Sequence, residues 1–385
     1  MGQRRSEARA RYQAFYLGIA SQDRDSWRLM DERYPQMKRA WQTMPDDVGL
    51  LTFGNQIRRF QERRGLWRDA LAWASRLLAV AVAASLREDE AALLNNVGVF
   101  YDRLGDRLVA LDHYERSLRL LEQVERLDGL AMVLNNVGHV YISLNDWQAV
   151  LAHGERALAV QEQLTENGRD VAYTLNNMAT AHIGLRAWDL ALDYLQRALP
   201  LMEETGDVDG LPVVLSNLGH VFENKGQEQE ALAYFQQAQA VQEAYGNRYG
   251  LVVTFNNIGL LHESAGRWEE ALAYFQQARE LAEKIGDRPH LATVLNSMGM
   301  VFYGMGEKGR ALDYFRRALP MRREFGSPDG LAYTLYNIGG ILAGQGEWHE
   351  ALAHFDEALA LWQQIGDEKN VESVELIRRV LLQLV

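Results

Sequence analysis

The chain of 385 residues contains no cysteine, and this absence excludes several kinds of site at once. It can form no disulfide, supplies no thiolate to a metal ion and has no cysteine nucleophile. Prolines are also few, at 7, whereas the 32 glycines fall mostly at regular intervals. A cysteine-free composition with 48% hydrophobic and 24% charged residues fits a folded protein of a reducing compartment.

Long apolar runs are missing as well. The opening MGQRRSEARARYQAF has no apolar signal core, and nowhere do about 18 apolar residues follow one another as a membrane span requires. The net charge of -12 repels phosphate backbones and favours neutral or basic partners. We therefore expect a cytoplasmic protein whose partner is neither a membrane nor a nucleic acid.

One five-residue phrase recurs seven times along the chain. Its copies are LNNVG at 94–98 and 134–138, LNNMA at 175–179, LSNLG at 215–219, FNNIG at 255–259, LNSMG at 295–299 and LYNIG at 335–339. The copies lie 40 or 41 residues apart, and a fixed period of this length is typical of solenoids.

Each period is predicted to form two helices. In the first full copy, Leu94, Val97 and Tyr101 recur at helical spacing and predict a helix over about 91–104. Gly105 is expected to end this helix, and a second helix is expected to begin near Arg107. Breaker clusters close the units, namely GDVDG at 206–210, GNRYG at 246–250 and GSPDG at 326–330.

These residues resemble a tetratricopeptide repeat array. The eighth position of that family's helix pair is small, and here it is Gly98, Gly138, Ala179, Gly219, Gly259, Gly299 and Gly339. The twentieth and twenty-seventh positions are also small in nearly every copy, and ALAYFQQA occurs verbatim at 231–238 and 271–278. The resemblance implies an all-α fold, a right-handed superhelical solenoid of about eight helix pairs.

The repeat boundaries follow from the period. An N-terminal helical segment is expected over 1–50, and a capping helix over 371–385. Between them we expect repeats at about 51–90, 91–130, 131–171, 172–211, 212–251, 252–291, 292–331 and 332–370.

The 40-residue form resembles kinesin light chains and the repeat arms of bacterial STAND signalling ATPases. Residues 10–20, 27–41 and 60–78 resemble the segment that joins such an ATPase to its repeats, although Pro35 is expected to interrupt the second of these helices. No G-x-x-x-x-G-K-[ST] phosphate loop occurs in the chain. The resemblance therefore implies a detached sensor arm or a standalone relative.

Motifs that suggest chemistry have simpler explanations in the repeat pattern. The G-x-G-x-x-G at 304–309 follows no strand, and HEALAH at 349–354 spaces its histidines so that they diverge on a helix. His182 and His262 replace a repeat tyrosine, and five tryptophans recur near the start of the second helix, so both groups are interpreted as packing residues. We expect no catalytic residue, no metal and no cofactor.

Two asparagines stand at the centre of most copies of the phrase, although asparagine is a poor residue for a helix interior. In one interpretation the amides form a ladder that holds a peptide backbone in the concave groove. In the other, one amide per repeat bonds the neighbouring helix or loop. We expect the fifth position to be mostly structural and the sixth to face the groove.

The predicted groove combines the sixth-position amides with charged and aromatic residues of the same helix face. The candidate residues are Asn96, Asn136, Asn177, Asn217, Asn257, Asn337, His139, His220, Glu223, Glu263, Tyr303 and Tyr333. Glu223 and Glu263 suggest a basic side chain in the partner. Gly304, Gly340 and Gly344, with Met300, Tyr303, Tyr333 and Tyr336, suggest an apolar pocket towards the C-terminal end.

The sequence therefore favours a non-enzymatic scaffold that binds a peptide or protein segment, neutral to basic in charge, in its groove. One form of this hypothesis is the sensor arm of a STAND-like signalling system. The alternative is a receptor or regulator of the peptide-pheromone type.

Overall fold

The computed structural model describes residues 27–64, 66–164 and 168–383, and this part of the chain contains helices but no strand. The described residues form two compact units, unit 1 within residues 27–205 and unit 2 within residues 206–383. The helices of unit 1 are α1 (Trp27–Thr43), α2 (Val48–Arg63), α3 (Trp67–Ala83), α4 (Arg87–Leu104), α5 (Arg107–Gln123), α6 (Leu127–Ser143), α7 (Trp147–Gln161), α8 (Gly168–Gly184) and α9 (Trp188–Thr205).

Unit 2 continues the same pattern. Its helices are α10 (Gly210–Asn224), α11 (Glu228–Tyr245), α12 (Arg248–Ser264), α13 (Trp268–Ile285), α14 (Arg288–Gly304), α15 (Lys308–Phe325), α16 (Pro328–Gln345), α17 (Trp348–Ile365) and α18 (Glu368–Leu381). None of the helices in the described part of the chain is long and apolar enough to cross a membrane.

Within each unit, consecutive helices pack against one another, and the first helices of successive pairs also contact one another. In unit 1, α4 contacts α6 and α6 contacts α8; in unit 2, α10 contacts α12 and α12 contacts α14. Each unit is therefore a stack of helix pairs, which confirms the all-α repeat fold expected from the 40-residue period.

The start of the first helix was predicted too late. α4 begins at Arg87 rather than near residue 91, because Glu88, Asp89 and Glu90 fill its first turn, where the helix dipole favours negative charge. Its end is as predicted, since Gly105 caps α4 with a left-handed φ of 91°. The second helix begins at Arg107, also as predicted.

The recurrent tryptophans pack between repeats, as expected. Each of the five begins a second helix, in α3, α7, α9, α13 and α17. The Trp147 ring fills the space beside Gly184 of the next first helix, and the Trp268 ring does the same beside Gly304. A tryptophan at this position therefore fixes the distance between one repeat and the next.

Proline 35 does not interrupt its helix, and that expectation is wrong. α1 runs unbroken from Trp27 to Thr43 with Pro35 inside it. A proline in a helix interior costs about 3 kcal/mol, but Met37 and Trp41 of α1 are buried in a core with α2 and α3. The Trp41 ring stacks on Trp73 with centroids 4.2 Å apart, so tertiary packing offsets the local cost. The segment 10–20 lies outside the described residues.

The last helix covers the end of unit 2. α18 buries Val374 and Leu381 in the same core as Trp362 of α17. The Trp362 indole Nε1 donates to the Asp329 carboxylate at 2.9 Å, which ties α17 to the start of α16. The division of the chain into a segment 1–50, an array 51–370 and a cap 371–385 stays a prediction.

Stacked rings join the two helices of most repeats. The ring at the eleventh position lies over a ring twelve residues later in Tyr101–His113, Tyr141–His153, His182–Tyr194, Phe222–Tyr234, His262–Tyr274 and Phe302–Tyr314, with centroids 5.2–5.5 Å apart. This confirms that His182 and His262 are packing residues. Burial lowers the pKa of His113, His153, His182 and His262 below the ordinary value for histidine.

These depressed pKa values predict a stability that falls in mild acid. The unfolded chain takes up protons on these histidines before the folded one does, so their contribution is complete above the unfolded pKa, about 6.5, and is lost as the pH falls towards the folded values. Replacing His182 by Phe, the residue that Phe222 and Phe302 supply at that position, should make unfolding less sensitive to pH between 7.5 and 5.5. Urea unfolding at both pH values measures this.

The control for the histidine experiment is His349→Phe, because His349 is an exposed residue of α17. That variant should keep the full pH dependence of the wild type. Equal pH dependence in the two variants would show that the stacked ring of His182 titrates as it does in the unfolded chain.

Candidate functional site

The inner faces of the first helices in unit 1 enclose a groove. A cavity of about 740 Å³ lies along α2, α4 and α6, and one of about 350 Å³ lies along α4, α6 and α8. Val99, Arg103, Met132 and Asn136 line both cavities, so the two adjoin. We call this continuous surface the unit 1 groove.

Three of the predicted amides lie in the unit 1 groove, but two of them also join neighbouring helices. The Asn136 Nδ2 donates to Asn95 Oδ1 at 2.8 Å, from α6 to α4, and the Asn177 Nδ2 donates to the Asn135 carbonyl at 3.4 Å, from α8 to α6. Asn136 and Asn177 therefore connect helices as well as line the groove, and the expected division of roles between the fifth and sixth positions stays a prediction. Asn96 lines the larger cavity, half-buried, with no hydrogen-bond partner among the described residues.

The fifth-position amide of repeat 131–171, Asn135, joins neighbouring helices. The Asn135 Nδ2 donates to the Asp170 carbonyl at 3.3 Å, and its Oδ1 accepts from the Thr174 hydroxyl at 2.8 Å. The same hydroxyl lies 3.0 Å from the Gln161 amide nitrogen. This buried chain of polar groups links α6, α7 and α8, and it satisfies groups whose burial would otherwise be costly.

Ion pairs neutralise much of the charge in the unit 1 groove. Arg126 pairs with Asp128 at 3.0 Å and with Glu88, and Arg58 pairs with Glu62 at 2.6 Å. Arg103 lies between the two cavities, and its guanidinium is 6.0 Å from the Trp67 ring centroid. The groove therefore presents mixed charge rather than a field of one sign.

Two aspartates of the groove have shifted pKa values of opposite direction. Burial alone would raise the pKa of Asp102, but the contact with His139, 3.4 Å away, and the charges of Arg103 and Arg107 lower it overall. Burial raises the pKa of Asp170, and the charge of Asp128 adds to this rise. The predicted groove residue His139 therefore serves as the partner of Asp102.

The structure places the other eight predicted residues in unit 2, apart from those of the unit 1 groove. There His220 contacts Glu223 at 3.3 Å, and burial raises the pKa of Glu263. Tyr303 and Tyr333 are exposed, and Asn257 is only 8% exposed. Asn217 and Asn337 are half-buried.

Part of the space expected as an apolar pocket at the C-terminal end is filled by the protein's own side chains. The Trp268 ring occupies the space beside Gly304, and Tyr336 packs against Phe355 and Trp362. The α18 residue Asn370 donates its Nδ2 to the Tyr333 hydroxyl at 3.0 Å. A Cβ at Gly340 would meet no atom within 4 Å, so space remains beside that residue and the pocket stays a prediction.

Sequence reasoning missed two kinds of groove residue. Met132 and Tyr173 occupy the second position of their repeats and line the groove, although only Tyr333 was carried forward from that position. Arg126 and Asp128 stand at the start of α6, before the expected helix, so the misplaced boundary hid them. The helical period alone would have identified Met132 and Tyr173.

The motifs that were set aside are ordinary parts of the repeats. Gly306 has a left-handed φ of 80° in the turn between α14 and α15, as the helix-turn interpretation predicts. His349 and His354 both lie on α17. In the part of the chain that the structure describes, no group of three or more His, Asp or Glu side chains is placed to hold a metal ion.

A stack of helix pairs with small residues where the helices cross is the architecture of an α-helical repeat protein. The tetratricopeptide repeat family model matches residues 89–163, 129–204, 170–244, 210–284, 250–324 and 330–376. The chain therefore belongs to the tetratricopeptide repeat family. A search of curated proteins gives no match.

Solved structures share this fold at low sequence identity. A Rap protein in complex with competence and sporulation factor is 15% identical, with 97% of this chain and 98% of that chain covered, at a TM-score of 0.59. NprR in complex with its cognate peptide NprX is 16% identical, with 72% and 85% covered, at 0.52. A STAND protein with a tetratricopeptide repeat sensor from Pyrococcus horikoshii is 13% identical, with 90% and 55% covered, at 0.58.

Proposed function

We propose that this protein is a non-enzymatic scaffold that binds an extended peptide or protein segment in the unit 1 groove. The observation that carries this proposal is the groove itself, which runs along α2, α4, α6 and α8 and is lined by Asn96, Asn136 and Asn177. An amide offers both donors and an acceptor, so a row of amides can hold a peptide backbone whatever its side chains.

The amides keep hydrogen-bonding capacity for a ligand. Asn136 uses one N–H on Asn95, which leaves its other N–H and its oxygen towards the groove. Each net hydrogen bond contributes only about 0.5–1.5 kcal/mol. Several groove amides must therefore bind the peptide backbone together to give a useful affinity. Met132, 51% exposed, and Val99 supply apolar contact beside them.

The related structures suggest what kind of system such a scaffold serves. The Rap protein was solved in complex with competence and sporulation factor and NprR with its cognate peptide NprX, and the STAND protein has a tetratricopeptide repeat sensor. We infer a sensor arm of a STAND-like signalling system, and as the alternative a receptor or regulator of the peptide-pheromone type.

The net charge of the chain indicates which charge its partner carries. A net charge of -12 disfavours nucleic acid and anionic membrane surfaces. Glu223 and Glu263 of unit 2 add carboxylates on first helices, and the unit 1 groove is of mixed charge. We infer a neutral to basic segment as partner.

Capture of a partner from a lysate of the source cell, followed by mass spectrometry, tests the proposal. The variant Asn96→Ala/Asn177→Ala removes two groove amides and leaves the Asn136–Asn95 bond in place. Losing about two net hydrogen bonds should weaken binding about tenfold. The control Gln148→Ala/Gln196→Ala removes two exposed amides from the second helices α7 and α9 and should capture as the wild type does.

An equal loss in both variants, or none in either, would contradict a binding role for the groove amides. They would then be helix ties only, like Asn135.

A further inference from the structure

The second helix α15 carries a charge opposite to that of the chain around it. Six of its 18 residues are Lys or Arg, and two are acidic, whereas the chain as a whole has a net charge of -12. The neighbouring second helix α17 has no Lys or Arg, and α11 has none either. No other second helix carries more than three Lys or Arg, so α15 is the most basic second helix of the array.

The register of the repeats shows which residues are reversed. Arg310 stands at the position that Glu230, Glu270 and Glu350 occupy in α11, α13 and α17. Arg323 stands where α13 has Glu283, whereas the position of Arg317 is Gln277 in α13 but arginine also in Arg116, Arg156 and Arg197. All of these arginines are exposed, so packing does not require them.

Two of the arginines are held in place by aromatic rings. The Arg310 guanidinium lies 3.8 Å from the Phe302 ring centroid, and the Arg317 guanidinium lies 5.4 Å from that of Tyr314. They stand two helical turns apart, about 10 Å along α15. With Asp313, Tyr314 and Arg316 they line an open cavity of about 530 Å³.

Two other arginines of α15 form ion pairs with another helix of unit 2. Arg316 pairs with Glu350 at 3.4 Å and Arg323 with Glu357 at 2.7 Å, so these two connect α15 to α17. Arg310 pairs only with Glu307, 2.8 Å away at the start of its own helix. No carboxylate of the described residues lies within 4 Å of Arg317. Arg310 and Arg317 therefore do not hold repeats together.

We propose that the outer face of α15 is a docking site for an acidic segment of a partner protein, with Arg310 and Arg317 binding its carboxylates. A guanidinium stacked on a ring keeps its N–H edge free for bidentate bonds to carboxylate. α15 belongs to unit 2 and its cavity shares no lining residue with the unit 1 groove, so this site does not depend on the function proposed for that groove.

The flanking helices favour a short protein segment over a long polyanion. α13 carries Glu269, Glu270 and Glu283, and α17 carries Glu350 and Glu357. The basic strip is thus one helix wide and about 27 Å long. A membrane surface or a nucleic acid duplex is broader and would meet these carboxylates, whereas a short acidic segment fits along α15 alone.

Fluorescence anisotropy of a labelled ten-residue oligoglutamate tests the proposal. The variant Arg310→Glu/Arg317→Gln gives α15 the residues that α13 has in the same register, so it should fold. It should bind the peptide about tenfold more weakly than the wild type, since exposed ion pairs are individually weak. The control Lys284→Glu/Lys369→Gln makes the same change in net charge at exposed residues of α13 and α18 and should bind as the wild type does.

Several results would overturn the assignment. Equal binding of the oligoglutamate by the wild type and the arginine variant would contradict the proposed docking site on α15. Tighter arginine-dependent binding of oligothymidine or of phosphatidylserine vesicles would make the occupant a nucleic acid or a membrane. Arginine-dependent dimerisation in sedimentation equilibrium would make it the acidic face of a second copy of this chain.

Discussion

Gly259→Ala should lower the free energy of unfolding by about 1–3 kcal/mol, the usual cost of overpacking a core. A Cβ at Gly259 would lie 2.5 Å from the edge of the Phe275 ring, and that ring is fully buried. The close approach of α12 to α13 depends on the missing side chain, so either the helices separate or the ring leaves its place. Urea unfolding of the full chain measures the loss.

Repeat 131–171 provides the matched control. Gly138 holds the same register, but a Cβ there would meet only the Asn177 amide, 3.7 Å away. The facing residue is Gly154, where the six other repeats that carry the five-residue phrase have a tyrosine, leucine or phenylalanine. Gly138→Ala should therefore raise the free energy of unfolding, by roughly 0.5–1 kcal/mol, because alanine is the better helix former.

A second substitution separates ring contact from other causes. Repeat 172–211 has Ala179 and Leu195 at these two positions, both buried. Combining Gly259→Ala with Phe275→Leu reproduces that pair, and the double variant should lose less stability than the two single losses added together. Simple additivity would contradict a direct contact between residue 259 and the ring.

These contacts show why much of the fold could be predicted from the sequence. The 40-residue period, the small eighth position and Gly105 each follow from helix packing or helix capping within one repeat, and these requirements recur in successive repeats. The failures concern features that depend on neighbours. Pro35 stays helical because Met37 and Trp41 are buried against α2 and α3, and no pattern within α1 reveals that core.

The candidate site could be predicted only in part, for a similar reason. The helical period predicts which face of each first helix lines the groove, and Asn96, Asn136 and Asn177 of that face line the unit 1 groove. It could not show that the Asn136 amide reaches Asn95, because that bond depends on the distance between α4 and α6. Nor could it show that Arg126 pairs with Glu88, 38 residues away.

Met132→Arg should weaken binding of the captured segment by at least about tenfold, or 1.4 kcal/mol. Met132 is 51% exposed at the point where both cavities of the unit 1 groove meet. A ligand covering it would place the new guanidinium against apolar surface without a partner, and burying an unpaired charge is costly. Titration of the purified segment into wild type and variant measures the change.

Val213→Arg is the matched control, because Val213 holds the same second position in unit 2 and is 49% exposed. The two variants gain the same charge at positions of equal exposure, so the effect of net charge on association is common to both. If Met132→Arg alone loses binding while both variants unfold at the same urea concentration, the loss comes from the unit 1 groove. If Val213→Arg loses as much, the segment also contacts the first helices of unit 2, where Glu223 and Glu263 stand, and the unit 1 groove alone does not account for binding.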